Sequence, residues 1–124
     1  MDMGDQTVKV ETRKPSDPGR SHEMKAIADL CIIPLGVGVS LGKYVAECER
    51  ILRQTGLKTR LHAYGTNVEG EWDEVVAAVK ACHQALHAMG APRVSSDIRI
   101  GTRIDRDQTM EDKIRSVEEK LQEP

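Results

Sequence analysis

Two constellations of residues in this chain could do chemistry. The first is acid–base: His62 could exchange a proton with Asp97, and Asp97 beside Arg60 would make a charge pair able to perturb pKa values, although structural ion pairing produces the same pattern. The second is aromatic. Tyr44, Tyr64 and Trp72 are the whole aromatic inventory, with no Phe. Set beside the carboxylates of Asp29, Glu69 and Asp97, they could enclose a flat cationic heterocycle: an aromatic face attracts a cation by roughly 0.5–2 kcal/mol, and a carboxylate can bond an aminopyrimidine. The plainer reading is that Tyr44 and Trp72 anchor two helices on a sheet.

Other chemistries have little support. His83 and His87, at i and i+4, could share a metal ion, but no H-E-x-x-H frame surrounds them and no third ligand is signalled, so no metal site is expected. Gly36, Gly38 and Gly42 do not form a dinucleotide-binding G-x-G-x-x-G turn, because Gly42 already belongs to a helix. Ser40 and Thr66 stand in no nucleophile frame such as G-x-S-x-G.

The elements that must position these residues are legible from periodicity. KAIADLCIIPLG reads as a strand from about Met24 to Pro34, with Ala28, Leu30 and Ile32 on one side and Ile27, Asp29, Cys31 and Ile33 on the other. Ser40 stands where an N-cap belongs, followed by a helix with Leu41, Tyr44, Val45, Cys48, Ile51 and Leu52 on one face and Gly56 at C′. Leu57 to Tyr64 reads as a second strand, Gly65-Thr66-Asn67 as a turn and Val68-Glu69-Gly70 as a short return. A helix then runs from near Trp72 to Gly90, and Arg93 to Ile104 alternates as a strand. Thr109, with Asp112 three residues on, predicts the cap of a last helix whose narrow stripe is Met110, Ile114, Val117 and Leu121.

The order βαββαβ plus a helix predicts an α+β, ferredoxin-like sandwich: an antiparallel four-stranded sheet with two helices on one face and an additional C-terminal helix. The opposite face would collect Asp29, Cys31, Arg60, His62, Tyr64, Asp97 and Arg99. Two such faces could pack together, with their charges met by partners or by a ligand.

Composition narrows the function. The chain has 124 residues with 18 basic and 20 acidic side chains, too balanced for a polyanion-binding field, so no nucleic acid is expected. No apolar run is long enough to span a bilayer and no secretory h-region is visible, which predicts a cytoplasmic protein without a membrane partner. Cys31, Cys48 and Cys82 form no C-x-x-C pair, and the latter two fit apolar helix faces as small core residues. Residues 1–23, with Pro15 and Pro18 and few apolar side chains, are expected to be a disordered extension of a domain covering 24–124.

Four stretches together carry a resemblance: ADLCIIPLG, SLGKYVAECERIL, LHAYGTNVEGEWDEVV and VSSDIRIGTRIDRDQTMEDKI. The chain resembles the thiamine-binding protein family of small ferredoxin-like proteins from about Met24 to Leu121. Its most specific matches are T-x-x-E-G-x-W-D-E-V at Thr66 to Val75 and D-I-R-x-G-T-R at Asp97 to Arg103. The resemblance implies sheets paired into dimers, assembly to a tetramer, and binding of thiamine or its pyrimidine precursor without chemical change. It also implies no cofactor beyond thiamine as bound ligand, and no catalytic residue. The matched positions expected to touch ligand are Ser40, Tyr44, His62, Thr66, Glu69, Trp72, Asp97 and Arg99. Of these, Tyr44 and Trp72 would stack, Ser40 and Thr66 would hydrogen-bond the ring edge, and a carboxylate from Glu69 or Asp97 would meet the amino group. Two alternatives stay open: an acid–base enzyme acting on a thiamine-like compound, and an oligomerisation module, structural or regulatory, that takes no ligand.

Overall fold

The computed structural model describes residues 24–124, so the expected N-terminal extension lies outside the described residues. Along the chain run β1 (Lys25–Leu35), α1 (Gly42–Gln54), β2 (Lys58–His62), β3 (Gly65–Glu71), α2 (Trp72–Ala88), β4 (Arg93–Thr102) and α3 (Met110–Leu121). The strands form one sheet in the order β2-β3-β1-β4, with every neighbouring pair antiparallel. This is the predicted α+β ferredoxin-like sandwich with its additional helix.

The alternation in β1 sorts its side chains. Ala26, Ala28 and Leu30 are buried beneath α1 and α2, while Asp29 and Cys31 lie on the open face. The core is aliphatic, as the lack of Phe requires: Tyr44, Cys48 and Leu52 of α1 meet Val75, Ala78, Cys82 and Leu86 of α2 over Ala28, Leu30 and Val68. Cys48 and Cys82 are core residues, as expected. The Cys82 thiol is pushed above its usual range, first by its hydrogen bond with Cys48 and then by burial, so it packs as an inert group.

Pro34 lies inside a central strand, where its missing N–H would normally break a ladder. Here β3 pairs with β1 only from Lys25 to Leu30, so beyond Leu30 the strand has β4 alone as a neighbour and one edge is open. Gly56, at φ 85, closes α1 at C′ in the left-handed conformation the sequence predicts.

Three local expectations are corrected. The hairpin turn is Ala63-Tyr64, since His62 pairs with Gly65, and Gly65-Thr66-Asn67 already belongs to β3. Gly65 is there for closeness rather than for turning: a Cβ at this position would stand 2.4 Å from the Leu30 carbonyl oxygen. Ser40 does not cap α1; Leu41 occupies the cap position and makes no side-chain cap bond. β4 ends at Thr102 rather than Ile104. By contrast, Thr109 and Asp112 form the full capping box of α3.

Helix α3 returns onto the open face. The Met110 N–H donates to Glu69 Oε1 at 2.9 Å, Lys58 pairs with Glu111, and Met110 itself is buried. The segment between β4 and α3 therefore crosses the open face and raises a wall above the sheet.

Candidate functional site

Among the described residues, a cavity opens on each side of the sheet. The smaller, about 230 Å3, lies between α1 and the β2–β3 hairpin. Leu30, Ile32, Leu41, Val45 and Leu52 give it an apolar lining, and His62 and Tyr64 stand among its wall residues. Its polar feature is Glu49, a carboxylate only 8% exposed. Glu49 reaches the interior because α1 turns its Tyr44-Cys48-Leu52 face inward, and position 49 lies next to Cys48 and three residues before Leu52. Thr66 of β3, also buried, donates its hydroxyl proton to Glu49 Oε2. Glu49 Oε1 is buried without a hydrogen-bond partner. The Arg53 guanidinium stands 3.7 Å from that oxygen, close enough to lower the electrostatic cost but too far to bond it.

A buried acceptor left unbonded costs about 1–3 kcal/mol, so Oε1 is poised to accept an N–H from a guest. A cavity of 230 Å3 falls below the roughly 300–1,000 Å3 of sites for drug-sized ligands and suits a single small ring. What this site can do is receive a flat donor group against a carboxylate within apolar walls.

The larger cavity, about 570 Å3, lies on the open face beneath the β4–α3 segment. Its floor includes a row across three strands, Asn67 on β3, Asp29 on β1 and Arg99 on β4, in register. The row continues to Arg60 on β2. Glu69 lies here too, with its carboxylate already engaged by the Met110 N–H and by Lys58 at 3.5 Å.

The acid–base pairs expected from sequence do not form. Arg60 and His62 lie on β2 and Asp97 on β4, with β3 and β1 between them; three strand spacings put about 14 Å across the sheet. His62 instead has Nε2 at 2.7 Å from Asp29 Oδ1. The Tyr64 N–H points at Nδ1, 3.3 Å away, which assigns the proton to Nε2 and makes Asp29 the acceptor. The two helix histidines also have protein partners: His83 with the Ser96 hydroxyl, and His87 Nδ1 with the Ala91 carbonyl at 2.8 Å.

Of the eight positions read from sequence, Thr66 and His62 come together at the apolar cavity, and Glu69 and Arg99 at the open-face cavity. Tyr44 is 6% exposed within the core, and Ser40 lies exposed ahead of α1. Trp72 opens α2, its N–H donating to the Met24 carbonyl at 3.0 Å, and neither Trp72 nor Asp97 lines either cavity. Glu49 went unread because it passes for one more charge on a charged helix. The signal was its position: an acid inside the i, i+3, i+4 apolar stripe.

Comparison with known proteins agrees with this architecture. The sequence profile of a family described as thiamine-binding protein matches residues 28–118. A UPF0045 protein of Synechocystis sp. is 63% identical over 99 residues, covering 80% of this chain and 82% of the relative. The UPF0045 protein ECM15 of Eremothecium gossypii is 38% identical over 100 residues, 80% of this chain and 95% of the relative. Among solved structures, a hypothetical protein of Methanocaldococcus jannaschii superposes with a TM-score of 0.71 at 36% identity, covering 77% of this chain and 97% of that one. A Thermotoga maritima protein, whose assigned name proposes a place in thiamine biosynthesis or salvage, shares the fold with a TM-score of 0.65 at 22% identity, over 75% of this chain and 98% of that one.

Proposed function

The chain belongs to the thiamine-binding protein family, and from that premise we propose that it binds thiamine or a related aminopyrimidine in the apolar cavity beside Glu49, without making or breaking a bond in it. One observation carries this reading: a buried carboxylate with one oxygen held by the Thr66 hydroxyl and the other unbonded, inside a ring-sized apolar cavity. An aminopyrimidine offers an amino N–H to Oε1, and the positive charge of a thiazolium offsets the carboxylate. Leu30, Val45 and Leu52 pack against the ring faces. Stacking by Tyr44 or Trp72 is not needed, and Tyr64, 87% exposed at the hairpin turn, is the aromatic placed to close over a guest.

Self-association accompanies this function. The α3 stripe of Ile114, Val117 and Leu121 is exposed in the single chain, and a second copy would cover it. In this reading the protein is a cytoplasmic carrier, buffer or sensor of the vitamin; among the described residues no helix is long and apolar enough to cross a membrane.

The test is isothermal titration of thiamine, thiamine phosphate and hydroxymethylpyrimidine into the purified protein, with the mixtures examined afterwards for products. Saturable micromolar binding, about −8 kcal/mol, with the ligand recovered unchanged is the expected result. Flat traces for all three ligands refute ligand binding and leave oligomerisation as the account, whereas a new product would turn the reading to catalysis.

A further inference from the structure

We infer that the open-face cavity is a second ligand site, built for a phosphorylated organic metabolite. Its charge is the first argument. Lys25, Arg99, Arg106 and Lys113 all line it, and among the described residues none of these four side chains makes an ion pair or a side-chain hydrogen bond. Of the acids of the same cavity, Glu69 is held by Lys58 and the Met110 N–H, while Asp29 accepts from the His62 ring N–H and keeps its charge. Asp107 alone is uncommitted there. Arg103 is already neutralised by the two oxygens of Asp105, at 2.5 and 2.9 Å. A protein of net charge −2 thus gathers five cations against three carboxylates in one concavity, where low-dielectric walls strengthen their field.

Geometry supplies the second argument. Arginine forks suit the paired oxygens of a phosphate, and Arg99 from β4 and Arg106 from the crossing segment approach the cavity from its floor and its wall. In the same cavity, Ile27 pairs in register with Gly101, whose missing side chain leaves the apolar surface of Ile27 uncovered. A volume of about 570 Å3 exceeds what a bare phosphate fills and accommodates an organic body lying on that patch. This site is separate from the Glu49 cavity, which lies on the helix side of the sheet and favours a cationic guest.

The experiment titrates pyrophosphate into the native protein and into Arg99→Gln/Arg106→Gln, with Lys80→Gln on α2 as the distant control. All three positions are exposed, so the variants should keep the native circular dichroism. Expected are saturable binding that weakens with added NaCl, a loss of about a hundredfold in the double variant, roughly tenfold per arginine, and no change in the control. Absence of saturable binding, or an equal loss in the control, overturns the site. Phenyl phosphate should bind more tightly than inorganic phosphate, an advantage that Gly101→Leu removes; equal affinities overturn the organic body. Thiamine titrated into the double variant reports on the Glu49 cavity alone, so failure of either site is read without the other.

Discussion

Replacing Glu49 with Gln separates ligand binding from stability because the two should move in opposite directions. The amide keeps an oxygen for the Thr66 hydroxyl and preserves volume, while removing a group that is costly to bury when charged and that has one oxygen unbonded. The ligand-free variant should therefore be as stable as the native protein or up to about 1 kcal/mol more so. Binding should suffer, because a charge-assisted hydrogen bond worth about 1.5–3 kcal/mol is lost, equivalent to roughly 10–150-fold in affinity. The assay is thermal unfolding with and without thiamine at a hundred times the native Kd. Linkage then predicts about 2.7 kcal/mol of ligand stabilisation for the native protein, and about 0.4 kcal/mol for a variant bound a hundredfold more weakly. For a domain of this size these correspond to shifts of about 11–22 °C and about 2–3 °C. A variant that keeps the native shift would refute the role of the carboxylate. One that loses several kcal/mol without ligand would show that Glu49 serves the fold instead.

Further outcomes follow from the same geometry. Trp72→Ala should cost about 2 kcal/mol of stability for a half-buried ring and leave thiamine affinity within twofold by titration, because Trp72 lines neither cavity; a large loss of affinity would restore it as a stacking residue. Gly65→Ala, whose Cβ would meet the Leu30 carbonyl oxygen at 2.4 Å, should destabilise by about 3 kcal/mol in urea unfolding. Gly42→Ala, in open space at the start of α1, should be neutral or gain about 0.5 kcal/mol. Docking of α3 should depend on pH. The Lys58 ammonium holds the Glu111 carboxyl below its usual range, and hydrogen bonds with Thr109 followed by Arg115 do the same for Asp112. Both contributions are present above the ordinary carboxylate range and are lost as the pH falls through the depressed values. The Lys58 ammonium is raised by Glu111, so its contribution is present below the ordinary lysine range and is lost only as the pH rises through the raised value. Protection of the α3 amides, measured against the exchange of an unstructured peptide at the same pH, should fall below about pH 4 and in high salt while α2 stays protected; an equal fall in both helices would sink this account.

How far the sequence could be read depended on how many neighbours each feature needs. The α1 and α2 stripes, the alternation of β4 and the Thr109 box depend on residues within one or two turns, and all emerge from local pattern. The hairpin turn did not, because Gly65 looks like turn chemistry. It is glycine for a nonlocal reason, the approach of the Leu30 carbonyl from β1. Residues 63–64 turn without any positive φ, so the glycine signal that usually marks such hairpins was misplaced by two positions. The open-face pairs failed for a similar reason: sharing a face does not mean sharing a neighbourhood, and Arg60 and Asp97 lie on opposite edges of that face.

The same strand order explains why one small domain can carry two sites of opposite character. β1 sits second from the edge, and its alternation sends Leu30 into the apolar cavity and Asp29 to the floor of the basic one. β3 repeats the division with Thr66 bonding Glu49 inside and Asn67 and Glu69 outside. At the top of the sheet the His62–Asp29 bond joins the two, since His62 lines the apolar cavity and its acceptor lines the basic one. An event on one face that displaced Asp29 would therefore release a ring on the rim of the other. This route makes coupling between the sites measurable: if the bond transmits, Asp29→Asn should change the dependence of thiamine affinity on pyrophosphate while leaving each ligand's separate binding within a few fold. If both ligands bind with the same affinity in the presence and absence of the other, in the native protein and in the variant alike, the shared strand is a scaffold only, and the two faces work independently.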